Sequence, residues 1–175
     1  MFDFSEDYML SNERVELRPL AKSDVEELFL ESNDKELWQF FTENGYGRKN
    51  FEKYIEKALQ KKRDGIEYPL VIKDLNMNSC AGMTRIYAID NELKNVKIGH
   101  TWIGKRFQGT GLNKHCKYVL FEFLFDKLGM RRIGFGASAE NVVSIKAMES
   151  VGCTQEGVLR SFLPIQNSER RVDIV

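Results

Sequence analysis

The chain has 175 residues, a length that suits one compact domain with a single substantial core. Its 26 basic and 26 acidic residues cancel, so no overall charge would draw it to nucleic acid or to an anionic membrane. An anion would have to be held by a local arrangement of residues. The N-terminus lacks the pattern of a secretory signal, and no apolar run approaches the roughly 20 residues that span a bilayer. We therefore expect a cytoplasmic protein with no membrane segment.

The first half of the chain predicts an antiparallel meander with helices inserted near its start. Alternation over Arg14–Pro19 predicts a strand, and Ser23 with Glu26 has the spacing of a capping box for the helix that follows. A longer helix is predicted from about Asn50 to Arg63, where apolar residues recur at three-and-four spacing. Three further strands, joined by polar turns, are predicted over 68–73, 81–89 and 96–103.

The segment Asn33–Gly47 lies between these two helices and carries Trp38, Phe40, Phe41 and Tyr46. Such a concentration of aromatic side chains needs cover from solvent. We expect most of them to pack on the core, and the alternative is a lid that faces the substrate.

The second half of the chain alternates helices and strands. A largely buried helix is predicted over Leu112–Lys127, a strand over Arg131–Ala137 and a helix over Val142–Ser150. Two strands, joined near Asn167 and Ser168, are predicted within Thr154–Val175. This order implies a parallel crossover in this half, and therefore a mixed sheet.

The three cysteines are widely separated and have no histidine at zinc-ligand spacing. This pattern favours buried thiols in a reducing compartment, and we predict no metal site. The residues in question are Cys80, Cys116 and Cys153.

The most informative stretch is Trp102–Asn113, in which a strand passes through a glycine-bearing turn into a helix. The first N–H groups of a helix lack internal partners, and glycines allow a phosphate to approach the backbone. The glycines alone fit a plain tight turn equally well. The segment lacks the Gly-Lys-Ser/Thr ending of a nucleoside-triphosphate loop and the G-x-G-x-x-G of a dinucleotide fold.

This stretch resembles the acyl-CoA loop of the GNAT superfamily, whose pattern Gln/Arg-x-x-Gly-x-Gly/Ala is met by Arg106, Gly109 and Gly111. Other segments, in the same order along the chain, resemble the branch of GNAT proteins that contains the ribosomal-protein-alanine N-acetyltransferases. These segments are Glu13–Leu20, Ile98–Ile103, the Asn-x-x-Ser of Asn141 to Ser144, and Glu156–Arg160.

The resemblance implies an α+β fold: one domain with a mixed, mostly antiparallel, twisted sheet of about six to seven strands, flanked by about four helices. One pair of strands is expected to splay apart at an acetyl-CoA site. The implied activity is acetyl transfer from acetyl-CoA to a primary amine, with a protein or peptide N-terminal α-amine favoured. The alternatives are a small-molecule amine such as a polyamine, an amino acid or an aminoglycoside, and a non-catalytic acyl-CoA-binding module.

The resemblance also assigns residues to the cofactor. The pantetheine arm is expected along the backbone of Trp102 and Ile103, and a backbone N–H near Thr101 or Trp102 is expected to hold the oxyanion. The residues expected to bind the pyrophosphate are Arg106 and the backbone amides of Gln108, Gly109, Thr110, Gly111, Leu112 and Asn113.

Three side chains are candidates for the chemistry itself. The amide of Asn141 either caps the helix that it opens or bonds the pantetheine, and the family position favours the cofactor contact. Ser144 lies one turn further on and is the candidate donor to the leaving thiolate, because the tyrosine that many family members use has no counterpart nearby. His100 is the candidate general base, since an ordinary pKa of about 6.5 suits proton uptake. The alternatives are that His100 only packs beside Trp102 or faces the sheet surface, and that a water chain to a carboxylate takes the proton.

Members of the branch usually continue their last strand beyond the segment that matches Arg171–Val175. An incomplete final strand would leave a sheet edge that a second subunit could cover. Both a monomer and a homodimer therefore stay open.

Overall fold

The computed structural model describes residues 1–164 and 169–175, and its centre is a six-stranded mixed sheet. Neighbouring strands pair antiparallel except for the last pair, β5 and β6, which is parallel. A separate antiparallel hairpin follows, and the turn predicted near residues 167 and 168 lies outside the described residues. The strands are β1 (Leu10–Ser11), β2 (Val15–Pro19), β3 (Glu67–Asp74), β4 (Ser79–Asp90), β5 (Asn95–Ile103), β6 (Arg132–Gly134), β7 (Leu159–Pro164) and β8 (Arg171–Ile174).

Four α-helices flank the sheet in the part of the chain that the structure describes. They are α1 (Val25–Ser32), α2 (Arg48–Arg63), α3 (Leu112–Phe121), which continues as a π-helical stretch over Glu122–Lys127, and α4 (Val142–Glu149). The mixed fold with about four helices is therefore confirmed. None of the helices described in residues 1–164 and 169–175 is long and apolar enough to cross a membrane.

The start of the first helix differs from the predicted capping box. A 3-10 turn over Lys22–Asp24 precedes α1, and the Asp24 carboxylate accepts a hydrogen bond from the Ala21 N–H at 2.8 Å. Arg18 holds the same carboxylate from β2. The side chain that satisfies the first free N–H is thus that of Asp24, one residue after Ser23. The reason is that the 3-10 turn starts the helical backbone before the apolar stripe of α1 begins.

The sheet separates two hydrophobic cores. On one face, α3 and the N-terminal segment cover residues such as Leu17, Leu70 and Ile98. On the other face, α1 and α2 cover residues such as Met83 and Val71, and Val71 lies between Leu70 and Ile72 of the first core, as the alternation of a strand requires.

A bulge in β5 decides which way its last residues point. Gly99 pairs with Arg85 and Trp102 with Met83, so His100 and Thr101 together face the single residue Thr84. His100 adopts a left-handed φ of 50°, which is uncommon for a residue with a side chain.

Because of the extra residue, Ile98 and Ile103 both lie in the core beneath α3, although an odd spacing of five would place them on opposite faces of a regular strand.

The parallel strands β5 and β6 separate soon after they pair. The pairing covers only Asn95–Lys97 against Arg132–Gly134, and β6 ends there. The strand predicted over Arg131–Ala137 is therefore too long, because the chain after Gly134 turns away from β5. From Ile98 onward one edge of β5 has no strand beside it among the described residues, which is the expected splay.

Candidate active site

The turn between β5 and α3 is held in shape by its own side chains. Gln108 Nε2 donates to the Ile103 carbonyl at 2.9 Å, and Thr110 Oγ1 donates to the Phe107 carbonyl at 2.7 Å. Gly109 and Gly111 have φ values of 74° and 86°, in the left-handed region that favours glycine. The glycines are therefore required by the backbone path and do not merely loosen the turn.

This turn presents a row of unpaired backbone donors. Within the described residues, the N–H groups of residues 109–113 have no hydrogen-bond acceptor, and residues 108–111 are exposed. The Gln108 N–H, which was also expected to bind the pyrophosphate, instead donates to the Lys105 carbonyl at 3.2 Å, because it closes the 3-10 turn before the glycines. The last of the unpaired donors open α3, where the positive end of the helix dipole lies. In addition, Asn113 Oδ1 is buried without a partner. An anion such as a pyrophosphate fits such a cradle, since free amides and the helix dipole both favour it.

Arg106 occupies a different position from the amides. Its Nε donates to Glu31 at 2.8 Å and its NH2 donates to Ser79 at 3.0 Å. The guanidinium thus anchors the turn to α1 and to the start of β4. A direct contact between Arg106 and the cofactor stays a prediction.

The backbone at the end of β5 borders the splay, while its side chains are committed elsewhere. The Trp102 ring is buried in the second core, 5.9 Å from the ring of Trp38. Ile103 is buried in the first core. The Ile103 carbonyl already accepts from Gln108, so the pairing of a pantetheine arm with the backbone of Trp102 and Ile103 stays a prediction.

Thr101 directs its side chain toward α3. Its Oγ1 lies 2.8 Å from Thr84 Oγ1 and accepts a hydrogen bond from Lys117 Nζ at 3.0 Å. The bulge sets this orientation, since it turns Thr101 to one face of the sheet and His100 toward the other.

His100 lies in a charged environment that changes its titration. Its Nε2 is 4.0 Å from Glu67 Oε1, and its ring packs on Tyr87 with 5.6 Å between centroids. Burial, and then the positive charge of Arg85, lower the pKa of His100 to about 4. The ordinary pKa that favoured His100 as a base does not hold: the ring is neutral near pH 7, but it is a weaker base than an ordinary histidine. Its role as the base stays a prediction.

Glu67 and Arg85 form a buried ion pair that the sequence reasoning missed. Arg85 NH1 donates to Glu67 Oε2 at 2.7 Å, and Lys61 donates to the other oxygen at 2.6 Å. Burial raises the pKa of Glu67, but these two hydrogen bonds outweigh it and hold the pKa below its ordinary value. The Arg85 guanidinium also lies 4.5 Å from the ring centroid of Tyr54.

A signal for this pair was present in the sequence. Arg85 stands in the middle of an apolar strand, Met83 to Ile86, where a charge requires a buried partner. The carboxylate that serves it comes from another strand, and sequence alone does not identify it.

Asn141 caps α4. Its Oδ1 accepts a hydrogen bond from the Ser144 N–H at 3.0 Å, so the capping alternative is realised. The cap uses only the amide oxygen, and the NH2 group is the part that could donate to a pantetheine carbonyl. Ser144 lies in the first turn and is half-buried. The contacts of Asn141 and Ser144 with a cofactor remain predictions.

A cleft of about 200 Å³ lies between the segment after α1 and the β7–β8 hairpin. Phe40 and Phe41 line one side, and Ser138, Glu140 and Leu163 line the other. Phe41 packs on Trp38 at 5.1 Å, and Trp38 packs on Trp102, which links the cleft to the end of β5. Trp38 is therefore core and Phe41 packs on it, as expected for most of the segment, while Phe40 and Phe41 also line the cleft. A lid that faces the substrate stays a prediction.

Comparison with known proteins agrees with this geometry. Residues 14–154 match the family model described as an acetyltransferase (GNAT) domain. A Bacillus subtilis protein named as a ribosomal N-acetyltransferase, YdaF, is 28% identical over 159 residues, which cover 87% of this chain and 84% of that protein.

Solved structures share the fold. A GCN5-related N-acetyltransferase from Brucella melitensis superimposes with a TM-score of 0.88 at 22% identity, over 98% of this chain and 78% of that one. A spermidine N-acetyltransferase from Vibrio cholerae, solved with CoA and spermine, has a TM-score of 0.75 at 20% identity, over 93% of each chain.

Members of this family are acyltransferases that use acetyl-CoA, and the amide cradle and the splay described above fit that donor. The family match covers most of the chain and includes β2 to α4, the elements that build the site. The chain belongs to the GNAT family of acetyl-CoA-dependent N-acetyltransferases.

Proposed function

We propose that the acceptor is the α-amine of a protein or peptide N-terminus. The observation that carries this proposal is the composition of the cleft that Phe41 and Trp38 connect to Trp102 at the end of β5. Its lining is largely aromatic and apolar, from Phe40, Phe41, Leu163, Pro164 and Val172. Such a lining suits the first side chains of an extended peptide, which bring apolar surface together with a single positive charge.

The carboxylate that lines the cleft is already paired with a basic residue, since Glu140 is bonded to Arg170. Glu43, beyond Phe41, is 3.3 Å from Lys57 through Oε1, while its Oε2 is buried without a hydrogen-bond partner in the part of the chain that the structure describes. A polyamine would have to displace Arg170 to pair with Glu140 and would find one open carboxylate oxygen, at Glu43, whereas one terminal amine needs a single acceptor.

The two relatives differ in how strongly they support a peptide acceptor over a polyamine. The Bacillus relative, at 28% identity, carries a ribosomal N-acetyltransferase name, which supports a protein acceptor. The spermidine enzyme, at 20% identity, shares the fold, and at that distance its polyamine substrate says little about this chain.

We assign the following roles in the reaction to residues of the chain. Acetyl-CoA supplies the thioester that the amine attacks. The amides of residues 109–113 would hold the pyrophosphate, and the β5 backbone at Trp102 and Ile103 would position the arm. His100, kept neutral by its surroundings, would take the proton of the amine directly or through water, with Ser144 as donor at the sulfur.

The test is a thiol-release assay with acetyl-CoA across matched acceptors: short peptides with free and blocked N-termini, free amino acids, spermidine and an aminoglycoside. We expect the largest kcat/KM for free N-terminal peptides, with the acetyl group located on the α-nitrogen by mass spectrometry. A larger kcat/KM for spermidine would overturn the choice of acceptor and leave acetyl transfer intact.

Phe41→Ala provides a check on the location. It should raise KM for the peptide severalfold, because it removes apolar surface from the cleft, and leave the affinity for acetyl-CoA unchanged. Leu30→Ala, on the exposed side of α1, is the matched control.

A further inference from the structure

Lys117 is a buried lysine on α3, and the roles assigned above leave its charge unused. The residue is 5% exposed, and it follows Cys116 on the inner face of the helix. Lysine is almost never fully buried unless its ammonium is paired. The described residues supply no carboxylate for it: its hydrogen bond goes to the neutral hydroxyl of Thr101.

The ammonium lies where β5 and β6 separate. On one side it donates to Thr101 in the bulge of β5, at 3.0 Å. On the other side it lies 5.8 Å from the ring centroid of Phe135, the first residue after β6 ends. It therefore bridges the inner end of the splay, beside the backbone expected to hold the reacting carbonyl.

The groups that surround Lys117 do not neutralise it. From its own helix it meets Cys116, and from the segment after α4 it meets Cys153. Burial raises the pKa of both thiols, so near pH 7 they are neutral. The neighbours from β4 and β5 are the hydroxyls of Thr84 and Thr101.

The free-energy cost of burying Lys117 indicates which kind of group would stabilise it. Burial lowers the pKa of Lys117, and the two thiols oppose this only in part. A charge without a partner in the interior costs free energy, and an anion brought beside it recovers that cost. Such an ammonium is poised for an anion that enters the splay.

We infer that the Lys117 ammonium stabilises the thiolate of CoA at the inner end of the splay, as a catalytic residue for departure of the sulfur. This rests on the proposed placement of acetyl-CoA. When the amine nitrogen bonds to the acetyl carbon, the carbon–sulfur bond breaks and its electron pair leaves on sulfur. The ammonium pairs with that thiolate, and the proton of the amine passes to the base on the other face of the sheet.

The test measures the ionisation of CoA itself and needs no turnover. CoA is titrated into the protein from pH 6 to pH 9, and thiolate formation is followed by difference ultraviolet absorbance, with desulfo-CoA as the reference. An ordinary thiol has a pKa of about 8.5, and an opposite charge within contact distance lowers it by about 1–3 units. We expect the pKa of bound CoA to fall by about that amount in the wild type and to return to the free value in Lys117→Met.

Two controls separate this role from a structural one. Thr84→Val removes a hydroxyl of the same network but keeps the ammonium, and should retain the lowered pKa of bound CoA. Lys117→Met should raise the melting temperature, because it replaces an unpaired buried charge with an apolar chain of similar length. A lysine that served only to hold the bulge would give the opposite change.

The outcomes are distinct. Bound CoA that ionises like free CoA in the wild type, or a lowered pKa that persists in Lys117→Met, overturns the role of Lys117 while the placement of acetyl-CoA stands. Failure of the wild type to bind CoA overturns both.

Discussion

At the scale of single residues, the buried pair of Glu67 and Arg85 joins β3 and β4 beneath α2. Arg85 has no exposed surface and Glu67 is 6% exposed. Both charges are removed from water: Arg85 is paired with Glu67, and Glu67 is paired with both Arg85 and Lys61. Loss of Arg85 leaves Glu67 Oε2 buried without its donor, while Lys61 still pairs with Oε1.

Arg85→Met is therefore expected to lower the free energy of unfolding by about 1–3 kcal/mol in urea denaturation, the cost of a buried oxygen that loses its donor. The matched control is Arg48→Met, which removes an arginine from the exposed pairs with Glu26 and Glu52 and should leave the free energy of unfolding nearly unchanged, because water screens these pairs. Equal losses in the two variants would contradict the importance assigned to the buried pair.

His100 should make stability depend on pH. Its pKa is about 4 in the folded protein, against an ordinary value of 6.5 for the unfolded chain, so between these values the unfolded chain binds more protons. Stability should therefore be complete above about pH 6.5 and should fall as the pH drops toward 4.

His100→Asn removes this contribution, and the variant should lose less stability than the wild type between pH 7 and pH 5, as measured by denaturation at each pH. Glu67, whose pKa is lowered, loses its contribution at more acidic pH in both proteins. Parallel curves for the two proteins would show that the pKa of His100 is not depressed.

At the scale of elements, the turn into α3 owes its amide cradle to two left-handed glycines. Gly111→Ala places a Cβ on a residue with φ of 86°. The strain costs about 1 kcal/mol or more, and the turn can relieve it only by moving the amides. We expect the affinity for acetyl-CoA to fall by about tenfold or more, since each hydrogen bond to a charged group is worth about 1.5–3 kcal/mol.

Gly129→Ala is the matched control, because Gly129 is also left-handed, with φ of 67°, but lies after the far end of the α3 stretch. It should destabilise the fold similarly and leave the affinity for acetyl-CoA unchanged in calorimetry. If both variants lost affinity alike, the cradle would not be the binding element.

The N-terminus of α4 allows the two roles of Asn141 to be separated. Asn141→Ala removes the cap and should cost about 1 kcal/mol of stability. Asn141→Ser keeps an oxygen that can cap but lacks the NH2 donor. We expect Ser to restore stability and to leave the affinity for acetyl-CoA reduced. Restoration of both properties by Ser would limit Asn141 to capping.

At the scale of the whole molecule, the sequence predicted what local patterns determine. The periodicity of Phe51, Tyr54, Ile55 and Ala58 predicted α2, and strand-forming runs bounded by polar turns predicted β3 to β5 within two residues of their ends. The glycine turn before α3 was recognisable because its residues are contiguous.

The features that sequence did not reveal depend on distant partners. The bulge that turns Thr101 toward α3 exists only relative to the register of β4. The short β6 reflects where the chain leaves β5. The partner of Arg85 comes from 18 residues away on another strand. Lys117 interrupts an apolar helix face, which is visible in the sequence. Its position between Thr101 and Phe135, where β5 and β6 separate, is visible only in the structure.

The central claim is that the turn over 106–113 holds the pyrophosphate of acetyl-CoA. The most direct measurement is calorimetric titration of the wild type with acetyl-CoA and, separately, with S-acetylpantetheine, which has the same arm and thioester but no pyrophosphate. The account predicts one saturable site for acetyl-CoA and an affinity for S-acetylpantetheine weaker by at least about tenfold. Equal affinities, or no binding of acetyl-CoA, would contradict it.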